Sequence, residues 1–212
     1  MSRNMSVILR APRKDSPSVE LVDRDGVPAV RKSYRHCSIF LRNTVGRLAT
    51  TRECWALTRL KDSPHVPELF SRPDPYTAIT EFVEGVSLEH LDPKTVEAEL
   101  LANQAASLLD DLAQAGVAHG DIGHDHWQSM GREANLIWTP GNRLVAIDFA
   151  GSVPTDSPIR PLANLGRLLS RHDTLLKAKI SHHFPTGKSM ELKGHTRWPL
   201  EVWELLRFLG KL

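Results

Sequence analysis

The chain has 212 residues, of which 41% are hydrophobic and 25% are charged, as in ordinary globular proteins, and this length fits one domain or one bilobal unit. The formal net charge of +2 does not indicate a nucleic-acid-binding protein, which requires clustered Lys and Arg side chains. With only two cysteines, Cys37 and Cys54, neither a disulfide framework nor a cysteine-based zinc site is expected, and a reducing, cytoplasmic location is predicted. No apolar run approaches the ~20 residues that span a bilayer, and the N-terminal apolar stretch is too short for a secretory signal peptide.

The chain begins with a polar, proline-containing stretch, residues 1–17, that is predicted to be poorly ordered. A β-hairpin is predicted next, with strands at 19–22 and 27–34, because the Asp-Gly pair between them tolerates the positive φ angles of a tight turn. Period-two alternation places three residues on one face of the second strand: Val30, Lys32 and Tyr34. A lysine between two apolar residues is commonly an edge residue whose ammonium reaches solvent, so position alone assigns Lys32 no function.

A helix is predicted at residues 44–60, where apolar residues follow a 3.6-residue period. Glu53 falls on the apolar stripe, and a carboxylate there is costly unless it is paired. Lys32, on the preceding strand, is the natural partner, and a solvated position at the edge of the stripe is the alternative. A further strand is predicted at 76–83, which is rich in β-branched and aromatic residues. The first part of the chain is thus a small sheet carrying one helix.

The next predicted helix begins at Asp92-Pro93, an aspartate cap followed by proline at the first helical position. Its leucine-rich stripe ends at Gly116, a residue typical of helix C-termini. This helix delivers the backbone into the sequence His119-Gly120-Asp121.

Two short strands are predicted at 135–138 and 144–147, with a turn at Pro140-Gly141-Asn142. Because an antiparallel hairpin returns to where it began, Asn135 at its entry and Asp148 at its exit should emerge at the same end. A leucine-rich helix is predicted over 162–176, a polar loop over 182–194, and a final amphipathic helix over 200–209.

Three short motifs follow one another along the chain: Ala29-Val30-Arg31-Lys32, His119-Gly120-Asp121 and Asp148-Phe149-Ala150-Gly151. Each is short enough to arise by chance, but their order is more specific, as is the separation of 13 residues between Asn135 and Asp148. In these motifs the chain resembles the protein-kinase-like superfamily, from about residue 19 to residue 176. The His-Gly-Asp form resembles its smaller members, namely RIO-type kinases, lipopolysaccharide-sugar kinases and aminoglycoside phosphotransferases.

The resemblance implies a bilobal α+β fold with a small N-terminal sheet-plus-helix lobe and a mainly helical C-terminal lobe. The corresponding division of the chain is a poorly ordered segment at 1–17, a nucleotide-binding lobe at 18–84 and a catalytic lobe at 85–212.

The resemblance also implies roles for individual residues. Asp121 would orient the acceptor hydroxyl and accept its proton, while Asn135 and Asp148 would hold Mg²⁺, with Mn²⁺ as an alternative ion. Lys32, held by Glu53, would contact the α- and β-phosphates of ATP.

Adenine recognition is assigned by the same resemblance. The stretch 76–88 resembles the hinge between kinase lobes. Glu81 and Val83 would meet the adenine ring through backbone groups, and Val30 would lie over the ring.

The chain departs from the kinase pattern in three places. No glycine-rich G-x-G-x-x-G motif precedes Lys32, so backbone amides with Lys14 or Ser16 would have to contact the phosphates instead. Asp121 and Asn135 are 14 residues apart, where the kinase motif has five, which indicates an insert. No A-P-E motif follows Gly151, which indicates that the peptide-binding platform of ordinary protein kinases is missing.

The sequence therefore predicts an ATP-dependent phosphotransferase acting on a hydroxyl, either of protein Ser/Thr or of a glycolipid sugar. No nucleic-acid partner is expected, and the absence of a transmembrane segment is compatible with peripheral membrane contact. One alternative is a metal-dependent hydrolase that uses loop 119–126, where His119, His124, Asp125 and His126 are nitrogen and oxygen ligands. A second alternative is a nucleotide-binding pseudokinase, because the glycine-rich loop is missing.

Overall fold

The computed structural model describes residues 6–122 and 135–186. Its first part is a five-stranded antiparallel sheet with the strand order β1-β2-β3-β5-β4. The strands are β1 (Val7–Arg10), β2 (Ser18–Arg24), β3 (Val27–Ser33), β4 (Leu69–Asp74) and β5 (Thr77–Glu81).

The predicted hairpin is confirmed as β2 and β3, and its turn holds Asp25 at φ 55° and Gly26 at φ 86°. Strand β1 lies in the stretch predicted to be poorly ordered, and the prediction is wrong for these four residues. It was missed because β1 is an edge strand whose side chains are all exposed, so it gives no alternating burial signal. Strand β4 was also missed, because proline at position 73 is typical of a loop and is tolerated on an edge strand.

The helix that follows the sheet's third strand starts earlier than predicted, at Ile39 rather than Thr44. It consists of α1 (Ile39–Leu41), a π-helical turn (Arg42–Gly46) and α2 (Arg47–Arg59). Gly46 ends the π-helical turn and lies close to Tyr34, the residue that follows β3, since a Cβ atom at position 46 would lie 2.7 Å from Cβ of Tyr34. The helix backbone therefore packs directly against the Tyr34 side chain at this point.

The second part of the chain is mainly helical and carries two small sheets, one of β6, β8 and β9 and one of β7 and β10. Its strands are β6 (Val86–Ser87), β7 (Val117–Ala118), β8 (Leu136–Trp138), β9 (Leu144–Ala146) and β10 (Val153–Pro154). Its helices are α3 (Ala98–Gln114), α4 (Arg160–Asp173) and α5 (Leu175–Thr186), with short 3₁₀ turns at Leu88–His90 and Phe149–Gly151.

Two helix boundaries differ from the sequence prediction. The Asp92 carboxylate accepts a hydrogen bond from the Lys94 amide, and its carbonyl accepts one from the Thr95 amide, so this cap closes a single turn and α3 begins only at Ala98. Helix α5 continues to Thr186, so the loop predicted from residue 182 is wrong at its start. Gly116 is confirmed as the stop after α3, with a φ of 65°. The predicted helix over 200–209 lies outside the described residues.

The main core lies between α2, α3, α5 and the β8–β9 hairpin. Its largest fully buried side chains are Phe149, Leu57, Leu88, Leu101, Leu108, Leu136, Leu144, Leu176 and Ile180. Each such side chain contributes roughly 1.5–3 kcal/mol through burial. Within residues 6–122 and 135–186, no helix combines the length and apolar character needed to cross a membrane.

Hydrogen bonds and an ion pair join the first part of the fold to the second part. The connection after α2 is bound to β9 through His65, whose Nδ1 donates to the Leu144 carbonyl at 2.8 Å and whose carbonyl accepts from the Ala146 amide. At the end of α2, Arg59 pairs with Asp156 at 2.9 Å and donates to the Ala115 carbonyl at 3.0 Å. These contacts fix the position of α2 against the second part of the chain.

Candidate active site

The centre of the site is an ammonium shared between two carboxylates. Nζ of Lys32, on β3, lies 2.6 Å from Oδ1 of Asp148 and 3.3 Å from Oε2 of Glu53, on α2. The Lys32 and Glu53 side chains are 11% and 8% exposed, whereas the Asp148 side chain is 40% exposed. Lys32 is thus anchored on the buried side by Glu53 and faces Asp148 on the open side.

The charges in this cluster determine one another's protonation. Burial alone would lower the pKa of Lys32, but the charges of Asp148 and Glu53 raise it above its ordinary value. Burial tends to raise the pKa of Asp148, yet the Lys32 ammonium outweighs burial and the net shift is downward. Burial raises the pKa of Glu53 in spite of Lys32. The Lys32–Asp148 pair is therefore charged at neutral pH.

Asp148 is held in an unusual backbone conformation by the turn that follows it. Its φ of 61° and ψ of 68° are left-handed, and its carboxylate caps the 3₁₀ turn by accepting from the Ala150 amide. A non-glycine residue in this region is strained and commonly marks a functional position. The turn therefore aims the carboxylate at Lys32.

Tyr34 joins the turn to the helix. It comes directly after β3, is 7% exposed, and forms a cluster with Cys37 and Ala49 against which Ala150 packs. Burial raises the pKa of its hydroxyl to about 12, so Tyr34 is neutral at physiological pH. This ring lies between the element that carries Glu53 and the turn that carries Asp148.

Asp121 and Asn135 form a second pair. The amide nitrogen of Asn135 donates to Oδ2 of Asp121 at 2.9 Å, although 14 residues separate them in sequence. Because the nitrogen makes this bond, the oxygen of the same amide remains the atom that can ligate a cation. The Ile147 amide donates to the Asn135 carbonyl at 2.9 Å, so Asn135 and Asp148 do emerge at the same end of the β8–β9 hairpin.

His119 is completely buried and contacts the backbone next to both Asp148 and Asp121. Its Nε2 donates to the Ile147 carbonyl at 3.1 Å, and its Nδ1 accepts from the Asp121 amide at 3.3 Å, which fixes a neutral tautomer. Burial lowers the pKa of His119 to about 4. Its ring packs edge-on against Phe149, with the ring centroids 4.5 Å apart. His119 thus links the Asp121 loop to the Asp148 turn as a structural residue.

Sequence reasoning missed one residue of the site, Asp173 at the end of α4. Its buried carboxylate accepts from the amides of His119 at 2.8 Å and Gly120 at 3.0 and 3.1 Å. Burial raises its pKa to about 7, against the effect of these amides. Asp173 holds the backbone that presents Asp121. A carboxylate on the buried side of a leucine-rich helix was the available signal, as it was for Glu53.

The residues assigned to adenine are only partly brought together. Glu81 and Val83 line a cavity of about 400 Å³, together with Phe82, Glu84, Thr139, Gly141 and Arg143. Val30 pairs with Thr80 on the neighbouring strand and is not part of that lining. The Glu81 carboxylate accepts from the Glu68 amide at 3.1 Å and the Glu81 amide donates to the Glu68 carbonyl at 2.9 Å, so both groups are engaged within the first part of the fold.

The connection between β1 and β2, residues 11–17, takes the place of a glycine-rich loop and contains no glycine. The Lys14 carbonyl accepts from the Ser38 amide at 3.1 Å, and the Ser16 carbonyl accepts from the Cys37 thiol at 3.4 Å. The loop is therefore tied to the start of α1, and it enters β2 close to Lys32, which pairs with Val19.

The rival metal site cannot be placed. His124, Asp125 and His126 lie outside the described residues. Within the described parts, 6–122 and 135–186, no group of three or more His, Cys, Asp or Glu side chains could hold a metal ion.

The sheet, the shared lysine and the β8–β9 hairpin define a bilobal α+β fold of the protein-kinase-like, RIO type. Two crystal structures of the Rio2 kinase from Chaetomium thermophilum, one of them a complex with ADP/Mg²⁺ and phosphoaspartate, match the chain with a TM-score of 0.58. They are 19% and 17% identical to it, and the match covers 93% of this chain. This chain spans about three fifths of those proteins, 61% and 63%. No protein-family model and no curated protein matches the sequence.

Proposed function

We propose that this protein is an ATP-dependent phosphotransferase that transfers the γ-phosphate to a hydroxyl group. The observation that carries the proposal is the shared lysine: Lys32 contacts Glu53 on one side and Asp148 on the other, beside the bonded pair of Asp121 and Asn135. Phosphoryl transfer depends mainly on positioning and charge neutralisation, and these five residues supply both.

Each residue has a distinct role in this proposal. Lys32, positioned by Glu53, contacts the α- and β-phosphates of ATP. Asp121 orients the acceptor hydroxyl and takes its proton, and the Asn135 amide holds the Asp121 carboxylate in place. The backbone of Glu81 and Val83 meets adenine, with Val30 over the ring.

The donor set fits Mg²⁺, because a carboxylate and an amide oxygen are hard ligands of the kind that this ion takes together with substrate phosphates. Asn135 and Asp148 would hold the ion, which would supply positive charge to neutralise the phosphates. One of the matching Rio2 crystal structures contains ADP and Mg²⁺, which supports the same use here.

The acceptor is a protein Ser/Thr or a glycolipid sugar. Helix α4 begins at Arg160, shortly after Gly151, and this short connection argues against the extended peptide platform of ordinary protein kinases. We further propose that residues 18–84 form the nucleotide-binding lobe, that residues 85–212 form the catalytic lobe, and that the enzyme acts in the cytoplasm.

The test is a thermal-unfolding shift with Mg-ATP, followed by phosphate transfer to a panel of proteins and glycolipids. A ligand at a hundredfold excess over its Kd stabilises the folded state by about 2.7 kcal/mol. Wild type and an Asp62→Ala control, changed at an exposed aspartate outside the site, should shift equally. Asp148→Ala should not shift, and Asp121→Ala should shift but transfer no phosphate.

Other outcomes separate the alternatives. A shift without transfer to any acceptor would indicate a pseudokinase. If no variant shifts, and zinc binds stoichiometrically and is lost in His124→Ala/His126→Ala together with a hydrolytic activity, the hydrolase alternative is correct. Wild-type transfer rates in Asp121→Ala would contradict the role of Asp121.

A further inference from the structure

Helix α4 carries a row of arginines on its outer surface. Arg160, Arg167 and Arg171 are all exposed, and Asn164, which lies between them on the same face, accepts a hydrogen bond from Arg167 at 3.0 Å. At 3.6 residues per turn these four positions fall within about 60° of the helix circumference and extend over about 16 Å. We refer to Arg160, Asn164, Arg167 and Arg171 as the arginine face.

The positive charge of this face is not neutralised locally. Within residues 6–122 and 135–186, none of its three arginines forms an ion pair. The elements that pack against α4 are β7, β10 and α5. The nearby carboxylates are engaged elsewhere, because Asp156 pairs with Arg59 and Asp173 is buried under the Gly120 amide.

The opposite face of the same helix is built into the site. Gly166 packs so closely on β10 that a Cβ atom there would lie 2.1 Å from the Pro154 carbonyl oxygen, and Leu169 lies against Gly120. Asp173 at the end of the helix holds the loop that carries Asp121. A surface that binds the arginine face would therefore be in rigid connection with the catalytic loop.

The composition of the face indicates what kind of surface it fits. Guanidinium groups bind phosphate through paired hydrogen bonds, which favours a phosphate-bearing partner. Helix α4 contains no Phe, Tyr or Trp, so the base-stacking platform used to bind single-stranded nucleic acid is lacking on this helix. Ile159, immediately before Arg160, is 61% exposed, so an apolar side chain adjoins the basic row, and a membrane surface accepts both an apolar group and cations.

We propose that the arginine face binds the phosphate headgroups of an anionic membrane surface. The contact is peripheral and does not require nucleotide; that it serves to present a membrane-borne acceptor to Asp121 rests on the proposed function. Each arginine near an anionic membrane should strengthen binding roughly fivefold, so the three together account for a factor of ~100.

The experiment is sedimentation of the full chain with vesicles of phosphatidylcholine alone or of phosphatidylcholine mixed with phosphatidylglycerol. Wild type should bind only the mixed vesicles and should be released at roughly 0.5 M NaCl, where charges are screened within a few ångströms. Arg160→Gln/Arg167→Gln/Arg171→Gln should lose at least tenfold in affinity. A matched control with the same change in net charge replaces three exposed cations elsewhere, Arg47→Gln/Lys61→Gln/Lys94→Gln, and should bind like wild type.

The proposal is wrong if wild type binds both vesicle types equally or neither, or if both triple variants lose binding to the same extent. It is also wrong if an oligonucleotide or an acidic peptide binds more tightly than the mixed vesicles and depends on the same arginines. Arg167→Gln alone, expected to lose roughly fivefold, serves if the triple variant does not fold. Asp121→Ala should bind vesicles like wild type, because the arginine face does not depend on catalysis. If wild type binds the mixed vesicles but not Mg-ATP, the proposed function is rejected and this proposal is retained.

Discussion

Replacing Gly46 with alanine should separate α2 from the sheet that carries Lys32. The new Cβ would lie 2.7 Å from Cβ and 2.8 Å from Cγ of Tyr34, where ordinary contact begins at 3.4 Å. Cβ of Tyr34 cannot rotate away, so the helix must move by at least about 0.7 Å. Glu53 lies seven residues further along the same helix, and its distance from Lys32 would grow from 3.3 Å to about 4 Å, the limit of an ion pair.

The expected effect on stability has two opposing parts. Alanine is about 1 kcal/mol better than glycine inside a helix, and overpacking costs up to about 3 kcal/mol, so a net loss of about 2 kcal/mol is expected. Urea unfolding measures this change, and a Mg-ATP titration measures the accompanying loss of nucleotide affinity. Gly141→Ala is the control for stability alone, because its new Cβ would have only Thr139 Oγ1 nearby, at 3.9 Å, while Gly141 itself lines the cavity assigned to adenine. A Gly46→Ala protein that is as stable as wild type and binds nucleotide equally well would refute the reasoning.

Three further changes test other parts of the site. Gly85→Ala would place a Cβ 2.3 Å from the Trp138 carbonyl oxygen, so it should displace the hinge and weaken nucleotide binding at least tenfold in a titration, a loss of about 1.4 kcal/mol or more. Burial lowers the pKa of His119 from its ordinary value of 6.5 to about 4 in the folded state. The contribution of His119 to the free energy of unfolding is therefore fully present above pH 6.5, and it falls by about 3 kcal/mol as the pH drops from 6.5 to 4. Urea unfolding should show that part of the pH dependence missing in His119→Gln, and parallel curves would contradict it. Asp173→Asn replaces one of two acceptor oxygens with a donor, so it should cost about 2 kcal/mol in urea unfolding and abolish transfer while nucleotide still binds; undiminished transfer would exclude the anchoring role.

The sequence predicted the parts of the fold whose signals are local. The Asp-Gly turn of the β2–β3 hairpin and the Gly116 helix stop follow from backbone conformations that few residues adopt. The bilobal α+β class followed from the order of the motifs, and the fold comparison bears it out. The shared lysine and four further residues were nominated from the sequence, and the structure brings Lys32 into contact with Glu53 and Asp148, and Asp121 into contact with Asn135, although their catalytic roles stay predictions.

The rest depends on contacts that no local pattern encodes. The Asp173 carboxylate accepts hydrogen bonds from backbone amides more than 50 residues earlier in the chain, and its place on the buried side of the helix indicates only that it needs a partner, not which one. Gly46 packs against Tyr34, the residue after β3, and this contact lies between two separate elements of the fold. In the sequence, the glycine by itself indicates only a position with low helix propensity. Strand β1 buries none of its apolar side chains, and its short apolar run lacks the period-two alternation that would have indicated its pairing with β2.

The balance of charge in the cleft explains why the shared lysine is compatible with a metal-dependent reaction. Lys32 contacts two carboxylates, Glu53 and Asp148, so this group carries a net charge of −1 when all three side chains are ionised. An excess of buried negative charge is unfavourable unless it is compensated, and the Lys32–Asp148 contact is the compensation that the chain itself supplies. Because the pKa of Lys32 is raised and that of Asp148 is lowered, a change of pH near neutrality does not open this contact. A divalent ion at the exposed side of Asp148 would compete with Lys32 for this carboxylate and would balance the remaining negative charge, and neither effect would require Asp148 to be protonated.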